Sequence, residues 1–144
     1  MKRWGLGLLI WVLLCGSAAA KDGIAIVKQV QGHVTVKRAG EILIVGQSDK
    51  LQTQDILVTG NKSRVGIIFH DGSVLSLEEN SYLRIKEFEF KPIENKFKFN
   101  LFLKKGSVLF ESGKIGVLSP EDFTFEIPEG VIGIRGTKFL VEVR

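Results

Sequence analysis

Apolar side chains recur at every second position through nearly all of this sequence after its first twenty residues, and that period excludes most folds. A helix needs apolar residues every third or fourth position, whereas a strand alternates its faces with a period of two. The run Arg64 to Leu77 shows the pattern best. It reads as a β-hairpin around Asp71-Gly72, a pair that favours left-handed turn conformations. A two-residue loop would pair Ile68 with Leu75 and leave apolar side chains on both faces. A three-residue loop, His70-Asp71-Gly72, pairs Ile67 with Leu75 and Val65 with Leu77, with Gly72 in the left-handed position of a bulge. Val65, Ile67, Phe69, Leu75 and Leu77 then share one face. A one-residue slip would turn every side chain over, so the second register is preferred.

The same alternation extends in both directions. Ile24, Ile26 and Val30 precede Gly32, and Val34 and Val36 follow it. Arg38-Ala39-Gly40-Glu41 is a turn, and Ile42 to Val45 is a continuous apolar run that reads as a strand covered on both sides. Asp55 to Gly60 forms another strand. Leu83 and Ile85 are out of phase with Phe88 and Phe90, which places a bulge or bend near Lys86-Glu87. Phe97, Phe99, Leu101 and Leu103 alternate with polar residues, and Phe102 suggests that the polar face is partly covered. Lys105-Gly106 reads as a turn that would pair Val108 and Phe110 with Leu103 and Leu101. Pro92 to Asn95 is a loop and Ser112-Gly113-Lys114 a turn. Ser119-Pro120-Glu121-Asp122 is the one helical turn expected, with Ser as cap. Phe123, Phe125 and Ile127 make a further strand before Pro128-Glu129-Gly130, and Gly136-Thr137 must absorb a phase change before Phe139, Val141 and Val143. About ten short strands imply an all-β fold, either a β-sandwich or a short β-solenoid or roll, with at most one or two helical turns. The similar lengths of Arg64–Phe90, Asn95–Lys114 and Asp122–Val143 hint at stacked coils, and a single sandwich without repeats explains them as well.

The first twenty residues have the form of an export signal. Lys2 and Arg3 precede the apolar run Leu6 to Leu14, and Ala18-Ala19-Ala20 offers a cleavage site. The division expected is therefore a signal peptide over 1–20 and one all-β domain over 21–144. Cys15 is the only cysteine of the 144 residues. It suits the signal's apolar core better than lipid attachment, because bulky Leu14 precedes it. The mature chain then has no thiol chemistry and no transmembrane span. The formal charge of +4 falls to +2 once the two leader cations leave, and mixed signs of that kind give no nucleic-acid footprint.

Catalytic chemistry is hard to assemble from what remains. His33 and His70 are the two histidines, without spacing partners for a metal site. His70-Asp71 falls in a turn, where Asp bonds its own backbone. The acidic pairs Glu78-Glu79, Glu121-Asp122 and Glu87 with Glu89 read as solvated faces. Gly130, Gly133 and Gly136 recur every three residues, yet a phosphate cradle requires a following helix, and Phe139 to Val143 is strand-like. Arg135, between Ile134 and Gly136, reads as a part-buried guanidinium held by carbonyls or an acid, or else as a contact for a carboxylate or phosphate. No cofactor is expected.

Thr59-Gly60-x-x-Ser63-Arg64, Ile68-Phe69-His70-Asp71-Gly72-Ser73-x-Leu75 and Asn80-Ser81-x-Leu83 together resemble the core of the FecR domain. Ser119-Pro120-Glu121 through Ile134-Arg135-Gly136-Thr137-Lys138-Phe139-x-Val141 resembles that family's closing motif. Val27-x-x-Val30-x-Gly32-x-Val34-x-Val36 and Leu51-x-x-x-Asp55 are similar to its opening strands. The resemblance implies an all-β module outside the cytoplasmic membrane, periplasmic or secreted. In iron-dicitrate-type signalling such a domain receives a signal from an outer-membrane transporter and carries a cytoplasmic arm that acts on a sigma factor. Nothing precedes the signal here, so the expectation is a stand-alone, non-enzymatic binding module with an envelope protein as partner. Asp71, Gly72, Ser73, Gly133, Arg135, Gly136, Thr137 and Lys138 are its motif or binding residues. The alternative is a cell-wall glycan or small-anion module using Arg135 and Lys138. N-terminal sequencing of the exported protein should read Lys21-Asp22-Gly23, whereas an acylated chain beginning at Cys15 would refute the leader assigned here.

Overall fold

The alternating sequence becomes twelve strands in one hydrogen-bonded sheet. A computed structural model of the chain describes residues 23–133 and 138–144. In order, the strands are β1 (Ala25–Gln31), β2 (Val34–Arg38), β3 (Glu41–Ile44), β4 (Lys50–Leu51), β5 (Ile56–Thr59), β6 (Arg64–Phe69), β7 (Val74–Leu77), β8 (Tyr82–Lys91), β9 (Lys96–Glu111), β10 (Phe123–Ile127), β11 (Gly130–Ile132) and β12 (Lys138–Val143). Among the described residues, helical structure is limited to α1 (Lys114–Leu118) and to 3₁₀ turns at Pro92–Glu94 and Pro120–Asp122. The fold is all-β. Its one parallel pairing is β9 with β10, and the rest are antiparallel. The three blocks of similar length are therefore not stacked coils, and the sheet instead curls on itself as an open half-barrel.

The hub is β9. Its first half lies between β8 and β10, and its second half between β7 and β12. Lys105-Gly106 is thus not the turn that the sequence suggested, because the chain runs through it as one strand of 16 residues. Val108 pairs with Leu77 and Val141, and Phe110 with Leu75 and Phe139, rather than with Leu103 and Leu101. Gly106 has φ +101° and its missing Cβ would stand 2.0 Å from Ser81 Oγ. A bare backbone is needed there both for the dihedral and for the approach of Ser81. Across the bend the Ser107 N–H donates to Ser81 Oγ at 3.1 Å.

Bending β9 brings the two halves of the sheet face to face over phenylalanines. Phe69 on β6 lies 5.4 Å from Phe88 on β8 and 4.6 Å from Phe99 on β9, centroid to centroid. Phe110 lies 5.0 Å from Phe123 and 5.3 Å from Phe139. Val65, Ile67, Phe69, Leu75 and Leu77 are all buried, and Ile67 opposes Leu75 as the three-residue loop requires. The expected irregularity in β8 falls between Ile85 and Glu87. In β1 the inward residues are Ala25 and Val27, not Ile24 and Ile26, because a bulge follows Val27 and shifts the phase before Val30. The run at Ile42–Ile44 is also not covered on both sides, and all four residues of β3 are exposed.

Phe99 is fully buried and touches Phe69, Phe88, Phe110 and Phe123. Phe99→Ala should cost about 3–5 kcal/mol in urea unfolding. Gly106→Ala should cost about 2 kcal/mol or more through strain at the bend. Near-neutral values at both positions would refute the hub role of β9.

Candidate interaction surface

Asp71-Gly72-Ser73 closes the β6–β7 hairpin, with Gly72 at φ +85° as the bulge requires. The turn's polar side chains point inward, while Asp71 and Gly72 also line an open groove with Gly113, Lys114, Val117 and Leu118. Asp71 and Ser73 are each 1% exposed. Asp71 Oδ1 accepts from the Ser73 N–H at 3.0 Å and Oδ2 from the Ser73 hydroxyl at 2.8 Å. The same Oδ2 accepts the Ile115 N–H at 3.3 Å, and Ser73 Oγ accepts the Gly113 N–H at 2.8 Å. The Lys114 N–H donates to the Asp71 carbonyl at 2.8 Å. The motif thus ties the first turn of α1 to the hairpin, where free amides and the helix dipole favour a carboxylate. The expected helical turn at Ser119–Asp122 is the 3₁₀ turn, and α1 just before it was not visible in the sequence. Five residues with Gly116 in the middle carry no helical periodicity, and a side chain more than forty positions upstream supplies their anchor.

Of the remaining residues expected at a site, only Gly133 and Lys138 are among the described ones. Gly133 and Lys138 are exposed, and Lys138 stands opposite Glu111 at the start of β12. Arg135, Gly136 and Thr137 lie outside the described residues. His33 and His70 are exposed, and His70 contributes a backbone N–H to the Ile24 carbonyl at 3.0 Å.

What the structure displays instead is an edge and an outer face. β3 hydrogen-bonds β2 and no other strand among the described residues. Ile42, Leu43 and Ile44 are 66%, 40% and 80% exposed. The β2–β3 turn is tight, with Ala39 at φ 50° and Gly40 at φ 80°, so the edge stands on a short hairpin. That hairpin is fixed from below by Arg38. Its Nε and Nη2 reach the two oxygens of buried Asp55 at 2.9 and 2.7 Å, and Nη2 also donates to the Lys50 carbonyl at 3.1 Å. The hydrogen bond to Asp55, against an opposing effect of burial, raises the Arg38 guanidinium above its usual pKa. A raised pKa keeps the guanidinium charged up to strong alkali. Between β3 and the approach to β4 lies an open groove of about 520 Å³, with Val36, Leu43, Ile44, Val45 and Leu51 as its apolar lining and Arg38, Ser48, Asp49, Lys50 and Gln52 as its polar one.

On the outer side, cross-strand partners follow one another from Ile42 to Lys37, Ile56, Arg84, Phe102, Glu126 and Val131. Next to this row Lys37 and Lys104 hold their ammonium groups 5.8 and 5.2 Å from the Tyr82 ring centroid. Lys37, Arg84 and Lys104 have no carboxylate within ion-pair distance among the described residues. Sequence reasoning missed this face because its members come from seven strands. The available signal was the unbroken Ile42-Leu43-Ile44, which suits an edge as well as a covered strand.

A family model described as FecR protein matches residues 55–144 of the chain. No curated protein and no solved structure matches it. With well over half of its length matched, the chain belongs to the FecR family. The match begins at Asp55, so the β2–β3 hairpin precedes it.

Asp71→Ala leaves three donors without their carboxylate and should destabilise the fold by about 3 kcal/mol. Ser73→Ala should cost about 1–3 kcal/mol by the same reasoning. Thermal or urea unfolding checks both, and unchanged stability would mean that the motif is held for some purpose other than anchoring α1.

Proposed function

We propose that this FecR-family chain is a non-enzymatic interaction module of the bacterial cell envelope, acting by protein–protein contact in sensing or assembly. The observation that carries the proposal is the display of three consecutive aliphatic side chains on an open sheet edge. Monomeric proteins rarely leave such an edge unprotected. The leader-like first twenty residues and the family membership support an envelope location. The non-enzymatic reading is supported by how the buried polar side chains are used. Asp55, Asp71, Ser73, Ser63, Thr59 and Ser81 all hold backbone amides or one another. Groups committed in this way are not poised to attack or protonate a substrate. No helix among the described residues is long and apolar enough to cross a membrane.

Photo-crosslinking of the tagged, processed chain in intact cells should give a reproducible adduct with an envelope protein. Absence of any adduct above the tag-only control, together with co-sedimentation with purified cell-wall sacculi, would overturn the reading in favour of a glycan module.

A further inference from the structure

We infer that β3 is the docking edge, and that its occupant is an extended segment of a partner protein in which aliphatic and acidic residues alternate. The inference rests on the reading of the chain as a protein-contact module and specifies where and with what chemistry that contact is made.

The hydrogen-bond phase of β3 can be read from its end. The Val45 N–H donates to the Val34 carbonyl at 3.0 Å, so Val34 and Val45 occupy a bonded position of the antiparallel ladder. Bonded and non-bonded pairs alternate. Leu43 and Glu41 therefore turn their main-chain groups towards β2, while Ile42 and Ile44 turn theirs to the open side. An incoming strand would meet two N–H and two C=O groups already held in extended geometry.

The other terminal strands are defended. β4 has two residues and begins with exposed Lys50. β11 has three and begins with Gly130. β12 places exposed Lys138 and Glu142 along its length. Charged residues, shortness and glycine are ordinary ways to blunt an edge. β3 carries branched or γ-branched aliphatics at three successive positions and one charge, Glu41, at the hairpin end.

A strand laid about 4.8 Å beyond β3 would send alternate side chains to opposite faces. One row would extend the outer face beside Ile42 and Ile44. The other, the aliphatic row, would enter the groove over Leu43, where Asp49 in the lining disfavours a second carboxylate. An edge that supplies main-chain bonds next to a pocket for every second side chain is the arrangement used for peptide capture by strand addition. The charge of the surroundings fixes the remaining chemistry. Lys37 lies directly across from Ile42, two strand spacings or about 10 Å from the added strand, within the joint reach of a lysine and a glutamate. The Lys37 ammonium now rests 5.8 Å from the Tyr82 ring centroid and would swing towards the added strand, whereas Arg84 and Lys104 stand four and five strands away, about 20 Å or more, too far to take part. A carboxylate in the occupant would give Lys37 the ion pair that it lacks among the described residues.

The test uses the processed chain and a capped synthetic peptide of about nine residues in which Val and Glu alternate. Three control peptides accompany it: one with Lys in place of Glu, one with the same composition in two blocks, and one N-methylated at every second residue. Saturation with the alternating peptide should slow amide exchange at Ile42 and Ile44 by about ten-fold or more. Each control should bind about ten-fold more weakly. Ile42→Lys with Ile44→Lys should weaken binding similarly without moving the thermal midpoint, since both side chains point to water. Slowed amides on β11 or β12 instead, equal binding of the N-methylated peptide, or no binding at millimolar peptide would overturn the assignment. Concentration-dependent protection of Ile42 and Ile44 without peptide would overturn it by making a second copy the occupant. Envelope adducts that persist in the double lysine variant would remove β3 while leaving the protein-contact reading intact. Loss of all adducts in the unsubstituted chain would remove both.

Discussion

The structure depends on a single strand bent at one residue. β9 belongs to both halves of the sheet, and every large ring in the core touches it or is placed by it. If β9 ran straight through Gly106, its two halves would continue in one plane and the faces bearing Phe69, Phe99, Phe110 and Phe123 would look at water. Burying one such side chain is worth about 1.5–3 kcal/mol, so the bend determines whether the inward-facing residues count as core at all. Ser81 makes the bend tolerable. Its side chain fills the space that a Cβ at residue 106 would take and accepts the amide of residue 107, which the local ladder leaves free.

The buried polar residues have a matching logic. They sit where one strand ends and another begins, and their partners are mostly backbone groups that no ladder can satisfy. Thr59 Oγ1 donates to the Glu78 carbonyl at 2.6 Å and accepts the Ser81 N–H at 2.9 Å, bridging β5 to the β7–β8 step. Ser63 Oγ accepts the His33 N–H at 2.8 Å at the β1–β2 corner. Asp71 and Ser73 do the same for α1, and Asp55 for the chain before β5. Since a buried amide left unpaired costs about as much as the bonds it forgoes, a curled sheet with many corners needs many short polar side chains. The Asp-Gly-Ser motif is one of these corner pieces.

How far the sequence could be read follows from the range of the interactions. Period-two alternation is local, so the all-β class and the inward face of the Arg64–Leu77 hairpin were legible, as was the bulge after Ile85. The Gly72 turn was legible because a left-handed dihedral has a residue-level signature. Lys105-Gly106 misled for the same reason. Gly signals an unusual dihedral, and only the contact with Ser81, twenty-five positions away, decides between a turn and a bend. α1 was invisible because its anchor is Asp71. The covered reading of Ile42–Val45 failed because an apolar run is compatible with two neighbours or with one. Arg135, Gly136 and Thr137, read as a binding motif, fall outside the described residues, and Lys138 beside them is a solvated strand residue. The outer face with Lys37, Tyr82, Arg84 and Lys104 could not be seen at all, since strand order brings it together.

In the proposed reading, stability and recognition occupy different sides of the same hairpin. Val34 and Val36 of β2 face inward and belong to the core, while Ile42 and Ile44 of β3 touch nothing that the fold requires. The joint between the two sides is Arg38, at the end of β2, locked to an aspartate at the first residue of the family-matched stretch. A pair of planar groups meeting through two hydrogen bonds fixes orientation as well as distance. The matched portion of the chain thus sets the position and angle at which an unmatched hairpin presents its edge, and the residues on that edge can change without disturbing what holds it in place.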